Sequence, residues 1–318
     1  MAEENLDLFD IALLLNYERA TTEPRFRSTK LREVALPGAS PKAIAVEGLK
    51  QHEWNDNKRT WIVLDKSSAA LDTHDTPSDF LPANPTALHD LSEQQLETIF
   101  FQARAHDGCY ISIGLLQIFF GLFPEDTKLR IRHTRHSYMS AINKRANIQE
   151  VLKRPTYTTA IAVLPEGDLM ISGHEKEMLH TVMGFAPVDD DNIRSILDLS
   201  SMQFGEAGRG PGPKGKQLFA LDTTAEFETR LNGLADELDE SRSQHFLGQN
   251  ATPYDDWLKT VAVAAKKRWE NREADRWCGH CGAPSAKSKC TGCGGAWYCG
   301  KSHQKLAWAF HKGYCKRD

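Results

Sequence analysis

The 318-residue chain holds no uninterrupted apolar run long enough to span a bilayer, so no membrane-spanning helix is expected. Its opening, MAEENLDLFD, is acidic, unlike a secretory signal peptide. Neither sign of charge dominates: 39 Lys and Arg stand against 43 Asp and Glu. There is no basic helix and no base-reading motif, which argues against direct nucleic-acid binding. The Gly/Pro-rich stretch GEAGRGPGPKGK, Gly205 to Lys216, lacks the GK[ST] ending of a phosphate-binding loop and reads as a flexible excursion. Internal repeats are missing as well. Cysteine is nearly absent from the first 277 residues, where Cys109 stands alone.

The other six cysteines crowd together at the far end. They run Cys278-x2-Cys281-x8-Cys290-x2-Cys293-x5-Cys299-x3-His303-x7-His311-x3-Cys315. These are eight soft or borderline ligands, enough for two tetrahedral zinc ions with none left over. A CxxC pair lets two thiolates from one tight turn reach the same ion. Cys299/His303 and His311/Cys315 are each four apart, which on a helix places each pair on one face. Three disulfides in so short a segment would leave both histidine pairings unexplained. Free thiolates fit a reducing compartment, so an intracellular protein, cytoplasmic or nuclear, is expected.

The stretch CGHC…CTGC…AWYCGKSHQKLAWAFHKGYC, with its Tyr298-Cys299 step, Gln304, Trp308 and closing His311-x3-Cys315, resembles a MYND-type zinc finger. The resemblance implies a small cross-braced module that docks short, usually proline-containing peptides of partner proteins. It also implies an interleaved ligand set. Cys278, Cys281, Cys299 and His303 would hold one ion, and Cys290, Cys293, His311 and Cys315 the other. The chain departs from the family pattern at His303, where a cysteine is usual; imidazole preserves tetrahedral geometry with less negative charge. Both sites would be closed by four protein ligands and therefore structural. Metal would supply much of the folding free energy of a segment with so little apolar material. Trp308 is expected to cover the zinc turns as core, while Trp297 is open to either a core or a peptide-binding role.

Residues 278–318 carry a formal +6, which leaves −10 on the rest, a mildly acidic body. The expected fold class is α+β: a mixed helix and antiparallel-sheet body, a C-terminal helical connector and the cross-braced two-zinc finger. The organisation reads as an irregular N-terminal segment over 1–85, packed on or tethered to the body. An α+β body follows over 86–250, then a helical connector over 251–277 and the finger over 278–318. Within these limits the pattern predicts a short helix from Leu6 to Arg19 and a strand from Thr60 to Asp65. A Thr-, Asp- and Pro-rich stretch follows, ending at Pro85. Ser92 with Gln95 forms a capping box for the next helix. Cys109 to Leu122 reads as a very apolar helix stopping before Pro124, and Leu129 to Thr134 as a half-buried strand. Ser137 to Leu152 reads as helix; Tyr157–Leu164, His180–Phe185 and Ile193–Leu199 read as strands. Ala225–Leu238 and Trp257–Arg276 are helical by composition.

Cys109 follows Asp107-Gly108 at the start of its helix, where the dipole and unpaired N–H groups favour thiolate. Downstream come His180 on a strand and Asp198 on the next. That order resembles papain-like and transglutaminase-like cysteine folds. The resemblance implies Cys109 as nucleophile, His180 as proton shuttle and Asp198 as its orienting acid, with Gln102 as an oxyanion donor. Tyr110 departs from the Trp usual after the cysteine, and His106, His133 and His174 compete for the role of His180. A buried cysteine serving as a small hydrophobe stands beside this reading. Some proteins with this finger are SET-domain methyltransferases, but there the finger lies inside the catalytic domain; that activity is not expected here.

Two functions follow. One is a zinc-binding interaction protein whose finger docks partner peptides. The other is a cysteine-dependent hydrolase or acyl/amide transferase built on Cys109, His180 and Asp198, its finger recruiting substrate.

Overall fold

The structure is a computed structural model. It describes residues 5–44, 58–66, 75–82, 88, 91–165, 167–212, 214–238, 243–245 (backbone only) and 254–315. Most of the Thr/Asp/Pro-rich stretch ending at Pro85 lies outside the described residues.

In chain order the elements begin with β1 (Leu6–Asp7), α1 (Leu8–Thr22), β2 (Thr29–Ala35) and β3 (Lys58–Lys66). Two helices follow, α2 (Glu93–Ala105) and α3 (Cys109–Phe120). Then come β4 (Lys128–Arg132), β5 (Ser137–Ala141), β6 (Arg145–Pro155), β7 (Tyr157–Leu164), β8 (Asp168–Ser172), β9 (Glu177–Phe185) and β10 (Ser195–Asp198). The body closes with β11 (Ala220–Thr223), α4 (Thr224–Leu234), β12 (Ala235–Leu238), β13 (Ser243–His245) and α5 (Asp255–Glu270). The finger contributes β14 (Ser288–Lys289), β15 (Trp297–Tyr298) and α6 (Lys301–His311). No helix among the described residues is long and apolar enough to cross a membrane.

The largest sheet runs β11-β10-β9-β6, with β12 and β13 both paired to the free edge of β6, and is antiparallel throughout. A second sheet, β2-β3-β7-β8, has β3 and β7 parallel between antiparallel neighbours. A small third sheet sets β1 parallel to β4 and β4 antiparallel to β5. The class is α+β, as the sequence predicts.

Helix α1 is apolar on nearly all sides, LFDIALLLNYERATT, and such a helix must be enclosed. Thirteen of its 15 residues are buried, including Arg19, whose guanidinium donates to Asn16 Oδ1 and to the carbonyls of Arg104 and Leu199. Helix α2 starts at the predicted capping box, and α3 ends at Gly121, ahead of Pro124. Leu258, Val261, Ala262 and Ala265 of α5 enter the core shared by α1 and α3.

Two expectations are corrected. Ser137–Leu152 is not a helix; it forms β5, a short 3-10 turn and most of β6. The ladder partners on both edges of β6 override the local preference. The helix expected over Ala225–Leu238 ends at Leu234, and Ala235–Leu238 pairs with β6 instead.

Candidate functional site

The finger is built from two matched turns. Cys281 and Cys293 are each followed by a glycine at positive φ, Gly282 at +79° and Gly294 at +64°. The backbone N–H of each glycine donates to the carbonyl of the first cysteine of its pair, Gly282 to Cys278 and Gly294 to Cys290. The second turn sits inside the hairpin β14–β15, and α6, which carries both histidines, follows β15. Cys299 precedes α6 and Cys315 lies beyond it, so the i,i+4 pairs are not wholly helical as expected, yet each pair converges on one site.

Two groups form: Cys278, Cys281, Cys299 and His303, and Cys290, Cys293, His311 and Cys315. Within each, all ligand atoms lie within 4.8 Å of one another. A tetrahedron with Zn–S near 2.3 Å and Zn–N near 2.0–2.1 Å has S···S edges of about 3.8 Å and S···N edges of about 3.6 Å. Cys281 and Cys299 sulfurs lie 3.7 Å apart, Cys290 and Cys315 sulfurs 3.8 Å, and Cys293 Sγ is 3.5 Å from His311 Nε2. Cys278 Sγ to His303 Nδ1 is slightly shorter at 3.3 Å. These spacings fit two zinc ions and exclude disulfides. Within the first group the thiols act on one another: hydrogen bonds from Cys281 and Cys299 pull the Cys278 thiol far down, while those to Cys278 and Cys299 push that of Cys281 well up.

The finger is seated on the body. Phe310 of α6 stacks on Phe9 of α1 with centroids 3.8 Å apart. Arg132 lies near both rings, pairing with Asp7 at 2.7 Å and Asp10 at 2.9 Å. Tyr314 donates its hydroxyl to the carbonyl of His133. Arg268 of α5 donates to Gly282 O at 2.7 Å and binds Glu18 at 2.8 Å. His280, inside the first CxxC turn, is buried with Nε2 3.0 Å from Glu97 Oε2 of α2. Burial alone would raise the Glu97 pKa, but His280, Arg209 and His303 outweigh it and hold the carboxyl down at about 2.

Trp308 does not cover the zinc turns; it is 48% exposed, and Phe310 makes the core contact instead. Trp297 is half-buried with the Arg276 guanidinium 4.2 Å above its ring. It lines a groove of about 510 Å³ between finger and body, with Trp277, Arg132, Arg276, Tyr298 and Tyr314.

In the body, Cys109, His180 and Asp198 come together. Cys109 opens α3 after Gly108, where a Cβ would meet Ala105 O at 2.7 Å, so the tight turn into the helix needs glycine. His180 on β9 holds Asp198 on β10, Nε2 to Oδ2 2.8 Å, and the other oxygen of Asp198 accepts from the N–H and hydroxyl of Ser200. Burial works against a charged His180, but the charge and hydrogen bond of Asp198, with the Cys109 thiol, raise its pKa to about 10. All three are enclosed, Cys109 at 2% exposure and His180 at 0%. Gln102 does not point into this cluster: its amide donates to Thr159 Oγ1 at 2.8 Å. Gln203 supplies the amide beside the ring, 3.2 Å from His180 Nδ1. Nothing in the sequence pattern assigns a role to Gln203, Glu97 or His280.

The competing histidines lie elsewhere. His133 bonds Ser195 Oγ at 2.7 Å and is lowered to about 4, chiefly by burial. His106 is likewise lowered to about 4 by burial and then by Arg25, and His174 sits 3.4 Å from Glu175 at the surface.

No curated protein and no solved structure matches the chain. The MYND finger family model matches residues 278–315. That match implies zinc binding and a role in protein interaction. With both ligand groups formed as the resemblance implies, the C-terminal segment is a two-zinc finger of the MYND type.

Proposed function

We propose that the finger docks a proline-containing peptide of a partner protein in the groove between finger and body. The observation that carries this reading is the pairing of Trp277 and Trp297 in one groove with Arg132 and Arg276 at its wall. Flat aromatic walls suit an extended proline-rich segment, which gives up little conformational entropy on binding. Panning a random peptide library against the zinc-loaded chain should enrich proline-containing sequences. Trp297→Ala should weaken the selected peptides by about tenfold or more without changing zinc content. Binding indifferent to that change would place docking elsewhere.

A second reading rests on the 2.8 Å His180–Asp198 pair, with the Cys109 thiol helping to raise the pKa of the same ring while it lies 3.8 Å from the carbonyl of Leu179. On this reading the Cys109 thiolate attacks a substrate carbonyl and the His180 imidazolium gives its proton to the leaving group. Water or an amine then takes the acyl group from sulfur. Alkylation of Cys109 in the zinc-loaded chain, followed by peptide mass spectrometry, is the test. Faster labelling than an ordinary thiol, abolished by His180→Ala, supports an enzyme. A Cys109 that labels only on unfolding makes the cluster a structural one.

A further inference from the structure

The finger carries His303 where its family usually has a cysteine, and the body supplies a reason. His303 turns Nδ1 toward Cys278 Sγ, 3.3 Å away in the first ligand group, and Nε2 toward Glu97 Oε1 on α2 at 3.5 Å. With a metal on Nδ1 the ring proton sits on Nε2, the atom that faces the carboxylate. The other Glu97 oxygen is held by His280 Nε2 at 3.0 Å and by Arg209 Nη2 at 3.1 Å. His280 lies between two ligands of the same group, so the carboxylate meets that zinc site from two directions.

We infer that Glu97 is the outer-shell partner of the first zinc ion, orienting its ligand His303 and tying that ion to the body. A metal-bound histidine commonly gives its second N–H to such a carboxylate, which fixes the ring and strengthens the ligand. A cysteine at 303 would place a fourth thiolate beside a buried carboxylate, two negative groups with no proton between them. Histidine is therefore the ligand matched to this seat. Glu97, His280 and His303 do not make a third cation site. Arg209 already occupies Glu97 Oε2, and His303 belongs to the first zinc group.

The test uses the full zinc-loaded chain, with chelator competition resolving the two ions. Glu97→Gln should weaken one ion by roughly 10–100-fold and leave the other unchanged. It should also shift the His303 Nε2–H signal in a proton–nitrogen correlation spectrum. Unchanged affinity for both ions, or an unmoved His303 signal, overturns the inference. Should Glu97→Gln fail to fold, His303→Cys decides. It restores the usual family ligand at a half-buried position, yet it should weaken the first ion while the second holds. Equal or tighter binding of the first ion by His303→Cys overturns the assignment.

Discussion

Buried among β9, β10 and α3, His180 keeps a charge that Asp198 makes tolerable. Its pKa is raised to about 10, so the pair's contribution is full below the unfolded histidine value near 6.5 and is lost as pH rises toward 10. Asp198 is lowered, so its share is lost as pH falls through its folded value. Urea unfolding should show stability declining between about pH 6.5 and 10, and Asp198→Asn should flatten that limb. An alkaline limb of equal slope in the variant would mean that another group is responsible. His180→Ala should cost about 3–5 kcal/mol, because it leaves Asp198 buried without its partner. The trio was legible only through the resemblance of its chain order to cysteine-enzyme folds, and β9 and β10, being paired neighbours, bring His180 to Asp198. Gln102 was misassigned because the face of α2 it occupies depends on packing. Glu97 was invisible for the same reason, although the histidine at 303 hinted at a nearby negative group.

Among the elements, the zinc ligands were the most legible, because CxxC turns encode their own geometry and the remaining pairs converge although Cys299 and Cys315 lie outside α6. Helix α1 and the capping box of α2 were legible too, one from continuous apolarity and the other from a local motif. Ser137–Leu152 failed where local propensity met a long-range partner. Ile148, Glu150 and Leu152 alternate into the interior while β9 pairs with β6 from Arg145 to Lys153. On α6 Trp308, expected in the core, is exposed, and Phe310 packs there instead. Phe310→Ala should cost about 3–5 kcal/mol through the lost Phe9 stack and core contact, whereas Trp308→Ala should change stability by no more than about 0.5 kcal/mol. Thermal unfolding of the two variants checks the contrast; equal losses would place Trp308 in the core after all. Gly282→Ala should unseat the first zinc turn, because its Cβ would meet Leu13 O at 2.6 Å and the residue sits at positive φ. Gly300→Ala, with no atom within 4 Å of its Cβ, serves as the neutral control.

Taken as one molecule, the chain joins a mildly acidic body to a basic finger, and the contacts between them are core contacts. Phe310 belongs to the same apolar cluster as α1, α3 and α5, and Arg268 and Glu97 reach from the body into the first zinc turn. Composition and periodicity gave no warning of this, because nothing in the sequence of α5 distinguishes a helix that carries the finger from one that packs beneath it. Zinc should therefore stabilise more than the finger. The most direct test is thermal unfolding of the full chain, followed by far-UV circular dichroism with and without a zinc chelator. One transition is expected, moving down by on the order of 10 °C when zinc is removed. Body helices and strands that melt at an unchanged temperature after both ions have left would contradict it.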